Sequence, residues 1–351
     1  MELQMSGTYI SDLDTAIQHS VEIEKLKNTS ILITGATGTI GSFIVDVLLR
    51  YNQLFNAEIA VCVAGRDVDK LKKRFAFWSD PKLITVLYDI NESINFNIHV
   101  DYIIHAAGNA HPVAFNGDPV GTIIGNINGT YNLLEYLRMS NGKRLLYVSS
   151  GEIYGQGDLR VGEFEETYSG YLDILSPRSC YPLSKRATEN LCASYSNQYD
   201  IDTVVVRPCH TYGPGITPTD SRANVQFIRN VLNDEDIVMK SEGTQLRSYN
   251  YIADCVSALL TVLVKGQSGE AYNIANPNER ITIADLAGII ARVAGKSIVF
   301  ATPSVLDVVN RTPIVKQVLS SKKIENLGWS GAFSTEMGIK NTLTILKECG
   351  Y

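Results

Sequence analysis

The chain has 351 residues, of which 31 are lysine or arginine and 37 are aspartate or glutamate, for a net charge of −6. That balance argues against nucleic acid as the main partner, because neutralising phosphates requires a basic face. A hydrophobic fraction of 45% with 19% charged residues argues against a disordered or fibrous chain. No apolar run is long enough to span a bilayer, since the longest candidate, Ser257 to Gly266, is short and contains Lys265. The start lacks a basic stretch followed by an apolar one, so it does not read as a signal peptide. The six cysteines show no C-x-x-C pairing and read as reduced thiols, so a cytoplasmic location is expected.

Residues 1–29 form a polar N-terminal extension, helical from Asp12 to Lys27, which reads as a cap or an interface arm. From Ser30 short apolar runs alternate with helical periods, the pattern of stacked βαβ units around a parallel sheet. The expected strands are Ile31 to Thr34, Ile59 to Ala64, Ile84 to Leu87, Tyr102 to His105, Leu145 to Ser149 and Thr203 to Arg207. Residues 30–207 are therefore predicted to form a doubly wound, Rossmann-type α/β domain. Beyond Arg207 the residues Gly213, Pro214, Gly215 and Pro218 mark a long loop. Residues 208–351 then lose the βαβ rhythm, as expected of a smaller mixed α/β substrate lobe with some segments returning to the first domain.

The loop T34-G-A-T-G-T-I-G41 follows a β-branched strand and opens an amphipathic helix. In that setting Gly35, Gly38 and Gly41 permit a tight turn and close approach of the backbone to a pyrophosphate, and the helix N-terminus supplies amide donors. Thr37, Thr39 and Ile40 belong to the same cofactor loop. The second strand ends A64-G65-R66-D67, where Arg66 is placed to pair with a 2′-phosphate. This tilts the coenzyme toward NADP over NAD, although Asp67 reaches a ribose after a small change of register. Asp89 and Ile90 are placed to bracket the adenine, and Ala106 and Ala107, next to His105 and Gly108, are small enough to admit a cofactor. His19, His99, His105 and His111 form no metal-spaced cluster, and no metal site is expected.

Downstream lie Y147-V-S-S-G-E-I-Y-G155 and Y181-P-L-S-K185. Residues four apart share a helix face, so the Lys185 ammonium is placed to stabilise a Tyr181 phenolate.

Taken in order, the glycine loop, Asp89-Ile90, H105-A-A, N126-I-N-G-T-Y-N-L-L-E135, the serine segment, Tyr181 with Lys185, the run RPCHTYGP from Arg207 to Pro214, and N326-L-G-W329 resemble the extended short-chain dehydrogenase/reductase family. The resemblance implies a nucleotide-sugar enzyme using tightly bound, recycled NAD or NADP. Tyr181 takes the proton of the sugar 4-hydroxyl, Ser150 assists it, Lys185 lowers the phenol's pKa and holds the cofactor ribose, and Pro208 lies against the cofactor. It also implies a homodimer, built on the helix of Tyr181 and the one after Asn126.

Within the family the chain is most similar to the UDP-glucuronate decarboxylases, through the run Pro177, Arg178, Ser179, Cys180, Tyr181, the segment E189-x-L-C192, D220-S-R222 and G243-T-Q-L-R-S-Y249. That likeness makes Arg178, His210, Arg222 and Arg247 substrate-binding residues and Glu152 the base or water-positioning group. Two departures stand out. Gly151 replaces the hydroxyl or aspartate that decarboxylases and 4,6-dehydratases carry between the residues matching Ser150 and Glu152, and His210 replaces an asparagine. The alternatives are a 4,6-dehydratase, a 4-epimerase or, from another class, a non-catalytic dinucleotide sensor or scaffold.

Overall fold

The computed structural model describes residues 2–108, 110, 112–217, 220–304 and 314–351. His111 and Pro218, singled out above, lie outside the described residues.

The β-branched runs become strands within a residue or two of their expected limits: β1 (Ser30–Thr34), β2 (Ala60–Gly65), β3 (Leu83–Leu87), β4 (Tyr102–His105), β5 (Arg144–Val148) and β6 (Thr203–Pro208). They pair in parallel in the order β3-β2-β1-β4-β5-β6. Between them run α2 (Thr39–Phe55), α3 (Val68–Phe75), α4 (Pro112–Gly117), α5 (Pro119–Ser140) and α6 (Cys180–Tyr199), with α1 (Gly7–His19) ahead of β1. Helices cover both faces, so the central strands are apolar throughout rather than alternating. In α2, Phe43, Ile44, Val47 and Leu48 turn inward at helical spacing and are all buried.

Among the described residues the remaining strands and α-helices are β7 (His210–Tyr212), α7 (Ala223–Leu232), β8 (Ile237–Met239), β9 (Leu246–Tyr251), α8 (Ile252–Lys265), β10 (Ala271–Ile274), β11 (Arg280–Thr282), α9 (Ile283–Ala294), β12 (Ile298–Phe300), β13 (Lys316–Gln317), α10 (Lys322–Glu325) and α11 (Thr335–Glu348). β10 joins the large sheet as its seventh strand, parallel to β6. β9 is the hub of a small mixed sheet, antiparallel to β11 and parallel to β7 and β13. Because the large sheet is parallel, the carboxyl ends of β1, β4, β5 and β6 open on one edge. Gly35, Ala106, Ser149 and Pro208 therefore converge there, as ligand sites do in open α/β sheets. Among the described residues no helix is long and apolar enough to cross a membrane.

The helix expected from Asp12 to Lys27 differs in extent and setting. It runs from Gly7 to His19, is capped by the Ser6 hydroxyl accepting from the Tyr9 amide, and packs between α2 and α8. Residues 23–26 are only a 3-10 turn. Its polar residues face inward because donors meet them. The Tyr9 hydroxyl donates to Asp46 at 2.6 Å, and the Asp12 carboxylate accepts from the Tyr251 hydroxyl at 2.5 Å and from Asn341 Nδ2 at 2.7 Å.

Burial pushes the Asp12 carboxyl up to about 6, with the Tyr251 and Asn341 hydrogen bonds opposing the rise and the charge of Asp254 adding to it. An unfolded aspartate titrates near ~3.9, so between these values the folded state binds the extra proton. The cost of the charged form is present above about pH 6 and is relieved as the pH falls. The unfolding free energy of the wild type relative to D12N should therefore rise by on the order of 2 kcal/mol from pH 7 to pH 4.5. Urea melts at both pH values measure this, and a pH-independent difference would contradict it.

Candidate active site

The cofactor end is set by Gly35, at φ +68°, whose α-hydrogen faces the chain after β4. A Cβ there would lie 2.6 Å from the Ala106 carbonyl oxygen and 2.7 Å from the Ala107 amide nitrogen, so only glycine allows β1 and β4 to end side by side. Thr34 ties the same pair, its hydroxyl 2.7 Å from His105 Nδ1 and accepting from the Ala107 amide at 3.3 Å. Burial drops the His105 pKa to about 3, so the ring is neutral. Gly38 is the N-cap of α2 and leaves the helix's first amides without a side-chain cap, while Thr39 donates to the Gly215 carbonyl at 2.8 Å. Thr37 and Ile40 line the same loop, half-buried.

At the end of β2, Arg66 is exposed. Asp67 is engaged as the N-cap of α3, accepting from the Lys70 amide at 2.9 Å. Asp89 accepts from the Asn91 amide at 3.0 Å, and Ile90 packs against α5 at Gly125 and Gly129.

The 3-10 turn Gly151–Tyr154 follows β5 and starts at Ser150, whose hydroxyl accepts from the Glu152 amide at 3.1 Å. Helix α6 is fastened to that turn. Arg186 donates to the Ile153 carbonyl at 2.6 Å, and Glu189 pairs at 2.7 Å with Arg207, which also donates to the Tyr154 hydroxyl at 2.9 Å. These contacts place Tyr181 beside Ser150 and within the fields of Glu152 and Arg222.

Tyr181 is 5% exposed and stacks on Phe115 at 5.0 Å with an interplanar angle of 10°. Burial raises its phenol to about 12, while the Ser150 hydrogen bond and the Arg222 charge oppose the rise and Glu152 adds to it. Lys185 is 4% exposed. Its Nζ donates to the Val148 carbonyl at 2.9 Å and sits 4.6 Å from the Tyr147 ring centre and 5.8 Å from that of Tyr181. Burial lowers its pKa to about 8.

The expectation that Lys185 lowers the phenol's pKa is not met in this geometry. The ammonium is turned to the end of β5, and desolvation of the phenol dominates. Asn126 donates to Ser184 at 2.9 Å, one residue from Lys185, and its Oδ1, which has no hydrogen-bond partner among the described residues, lies 3.0 Å from the position a Cβ on Gly108 would take.

Of the four residues expected to bind substrate, Arg178 contacts Glu152 directly, while Arg222 and Arg247 gather about His210. Arg178 pairs with the Glu152 carboxylate at 3.2 and 3.4 Å and lies 5.3 Å over the Phe115 ring. His210 lies 5.6 Å from the Tyr249 ring at an interplanar angle of 54° and is held neutral, its pKa dropped to about 3 by burial and by the charges of Arg247 and Arg222. Arg222 donates to Asp220 at 2.6 Å and to the Thr211 carbonyl at 2.9 Å. Arg247 is 1% exposed and donates to the carbonyls of Leu246, Val315 and Ile314. Burial lowers its pKa against the opposing fields of Tyr249 and Glu152.

Two site residues escaped the sequence reading. Phe115 lies in an unremarkable helical stretch, and Gln317 sits on a two-residue strand with no motif around it. Only the burial of a polar side chain in the fold singles out the second.

A parallel sheet with a glycine-capped first helix and a tyrosine–lysine helix at its carboxyl edge is the architecture of nucleotide-dependent short-chain dehydrogenases. Residues 31–275 match the model of the NAD dependent epimerase/dehydratase family, and the chain belongs to that family. It is 33% identical to UDP-glucuronic acid decarboxylase 3 of Arabidopsis thaliana over 89% of this chain and 87% of the relative. It is 30% identical to UDP-glucuronic acid decarboxylase 1 of Xenopus tropicalis, covering 91% and 72%.

Among solved structures, a dTDP-glucose 4,6-dehydratase from Streptomyces venezuelae with NAD bound superposes with a TM-score of 0.75 at 25% identity, covering 91% of this chain and 97% of that one. The fold is shared equally with a UDP-glucuronic acid 4-epimerase from Bacillus cereus in complex with UDP-glucuronic acid and NAD, at a TM-score of 0.75 and 23% identity, over 91% and 99%.

Proposed function

We propose that the protein decarboxylates UDP-glucuronate, or a close nucleotide-linked uronic acid, through a ketone formed at carbon 4. The observation that carries this reading is the charge of Arg247. It is a buried guanidinium with backbone carbonyls as its hydrogen-bond acceptors and no ion pair to a carboxylate among the described residues, on the same patch as Arg222 and His210. Buried charge calls for a partner, and a pyrophosphate or a sugar carboxylate supplies one in the bidentate geometry arginine favours.

The first edge of the site fits a dinucleotide. Gly38 leaves the α2 amides open to a pyrophosphate, and Ala106, Ala107 and Pro208 present no bulk at the strand ends. When bound there, NAD supplies a hydride acceptor for carbon 4 and a positive ring charge.

The chain's own groups do the rest. Tyr181 accepts the 4-hydroxyl proton, Ser150 steadies the phenolate by hydrogen bonding, and Lys185 offers charge and donors from the end of β5. A ketone beside carbon 5 makes the uronic acid a β-keto acid, which releases carbon dioxide as its electrons pass into an enolate. Carbon 5 then needs a proton, and Glu152, held by Arg178, would deliver it or position the water that does. The short-chain enzyme then restores the 4-hydroxyl by returning hydride and proton. The same first step serves a 4,6-dehydratase or a 4-epimerase, which the solved structures name.

Incubation with UDP-glucuronate and NAD, with product mass read directly, separates the cases. Loss of carbon dioxide is expected. Loss of water from UDP-glucose or dTDP-glucose, or an unchanged mass with inverted carbon 4, would replace the proposal, and binding of dinucleotide without turnover would favour the sensor.

The coenzyme follows the same logic. Arg66 is exposed at the end of β2, while Asp67 is occupied as a cap, so the guanidinium is available to a 2′-phosphate. NADP should bind at least as tightly as NAD, and R66A should weaken NADP alone by roughly 10-fold. Equal loss for both coenzymes, by calorimetric titration, would move Arg66 from the 2′-phosphate to a group the two share, and no loss for either would remove it from the site. We further infer a homodimer through the outward faces of α5 and α6, with Val120, Ile124 and Tyr131 exposed apolar residues on α5; a monomer by sedimentation would contradict it.

A further inference from the structure

The segment Ser150-Gly151-Glu152 carries two polar side chains with a gap between them, and Leu319, the Pro208 carbonyl and Gln317 border the gap. A Cβ built on Gly151 would lie 3.6 Å from the Gln317 carboxamide carbon and 3.1 Å from Leu319 Cδ1. The amide therefore stands in contact range of any side chain at position 151.

Its strand context aims it there. β13 pairs in parallel with β9, with Gln317 opposite Arg247, and β7 pairs with β9, with His210 opposite Tyr249. Register partners in a parallel pair project to the same face, as do residues two apart on one strand. His210, Tyr249, Arg247 and Gln317 thus share one face of the small sheet. The contact with Gly151 shows that this face looks onto the turn of Ser150 and Glu152.

Gln317 is 2% exposed, and its Nε2 has no hydrogen-bond partner among the described residues. On the same face His210 Nδ1 is also without one. A buried amide left unpaired is costly, and unpaired groups in native structures call for an unseen partner.

We propose that Gln317 is a specificity-determining residue, its Nε2 donating to the carbon-6 carboxylate of the bound nucleotide-sugar in place of a side chain at position 151. This rests on the substrate reading given above and names the group that recognises its acidic end. The ligand class is a nucleotide-linked uronic acid as opposed to the neutral hexose, which offers a hydroxyl at carbon 6 rather than a charged acceptor.

The cleanest variant is Q317M, which keeps length and packing while removing the donor. Replacing an unsatisfied buried amide by an apolar group costs little stability, so the variant folds with a melting temperature at or above the parent's. A hydrogen bond to a charged group is then lost. We expect the Kd for UDP-glucuronate, measured by titration of the NAD-loaded protein, to rise about 10- to 100-fold, with UDP affinity within about twofold. A second variant, Q317A, frees the space at Gly151, and adding G151S to it should restore most of the discrimination between UDP-glucuronate and UDP.

An unchanged ratio of the two affinities in Q317M would overturn the assignment. So would equal losses for both ligands in Q317M and Q317A that G151S does not repair, since those mark a packing role. Wild-type protein that bound UDP and UDP-glucose but showed no preference for UDP-glucuronate would instead overturn the substrate reading, and this assignment with it.

Discussion

Y181F should lower kcat by roughly 10²- to 10⁴-fold, the usual contribution of a positioned acid–base group, with UDP affinity and melting temperature nearly unchanged. The phenol is buried against Phe115 and its polar contact is with Ser150, so removing the hydroxyl takes away chemistry and little packing. At a pKa of about 12 only about one phenol in 10⁵ is ionised at pH 7. The free protein is therefore a poor base, and positive charge arriving with the ligands has to lower that value.

The sign of the pH dependence follows. kcat rises with pH on the acid side as the phenol, its pKa lowered by the bound ligands, ionises. It falls again above about 8 as Lys185, whose pKa burial has brought down to that value, loses its proton. In K185M the falling limb should vanish and the rate should drop by a similar order. A Y181F enzyme turning over as fast as the parent would remove the proposed mechanism entirely.

E152Q should cut sustained turnover, and with it steady-state carbon dioxide release, by about 10²-fold or more while sparing oxidation at carbon 4. The glutamate sits at the turn that also carries Ser150, paired with Arg178 and within the field of Arg247. Glutamine keeps the shape and one acceptor but can neither deliver a proton nor balance two arginines. The variant mixed with UDP-glucuronate should therefore accumulate the absorbance of reduced nicotinamide without forming product, a stalled state distinguishable from simple inactivity. Carbon dioxide release at the parental rate would take Glu152 out of the reaction. If the protein were a 4-epimerase, which has no use for a proton at carbon 5, E152Q would leave its turnover intact, so one variant tests both residue and reaction.

Sequence alone settled what depends on local periodicity and backbone chemistry. The inner parallel strands were legible because a strand covered on both faces must be apolar along its length, and the glycine loop because Gly35 is forced by its φ and by the approach of β4. The spacing of Tyr181 and Lys185 was legible because a helix repeats every 3.6 residues. What only the tertiary structure decided is how charge and burial act at a distance. Asp12 turned inward because Tyr251 and Asn341, hundreds of residues away, bring it donors. Lys185 took the Val148 carbonyl instead of the phenol, so desolvation and not the ammonium set the state of Tyr181. Gln317 stands beside Gly151 because β13 pairs with β9, and no pattern within either segment carries that register. Electrostatic shifts and long-range pairing are sums over neighbours that folding alone assembles.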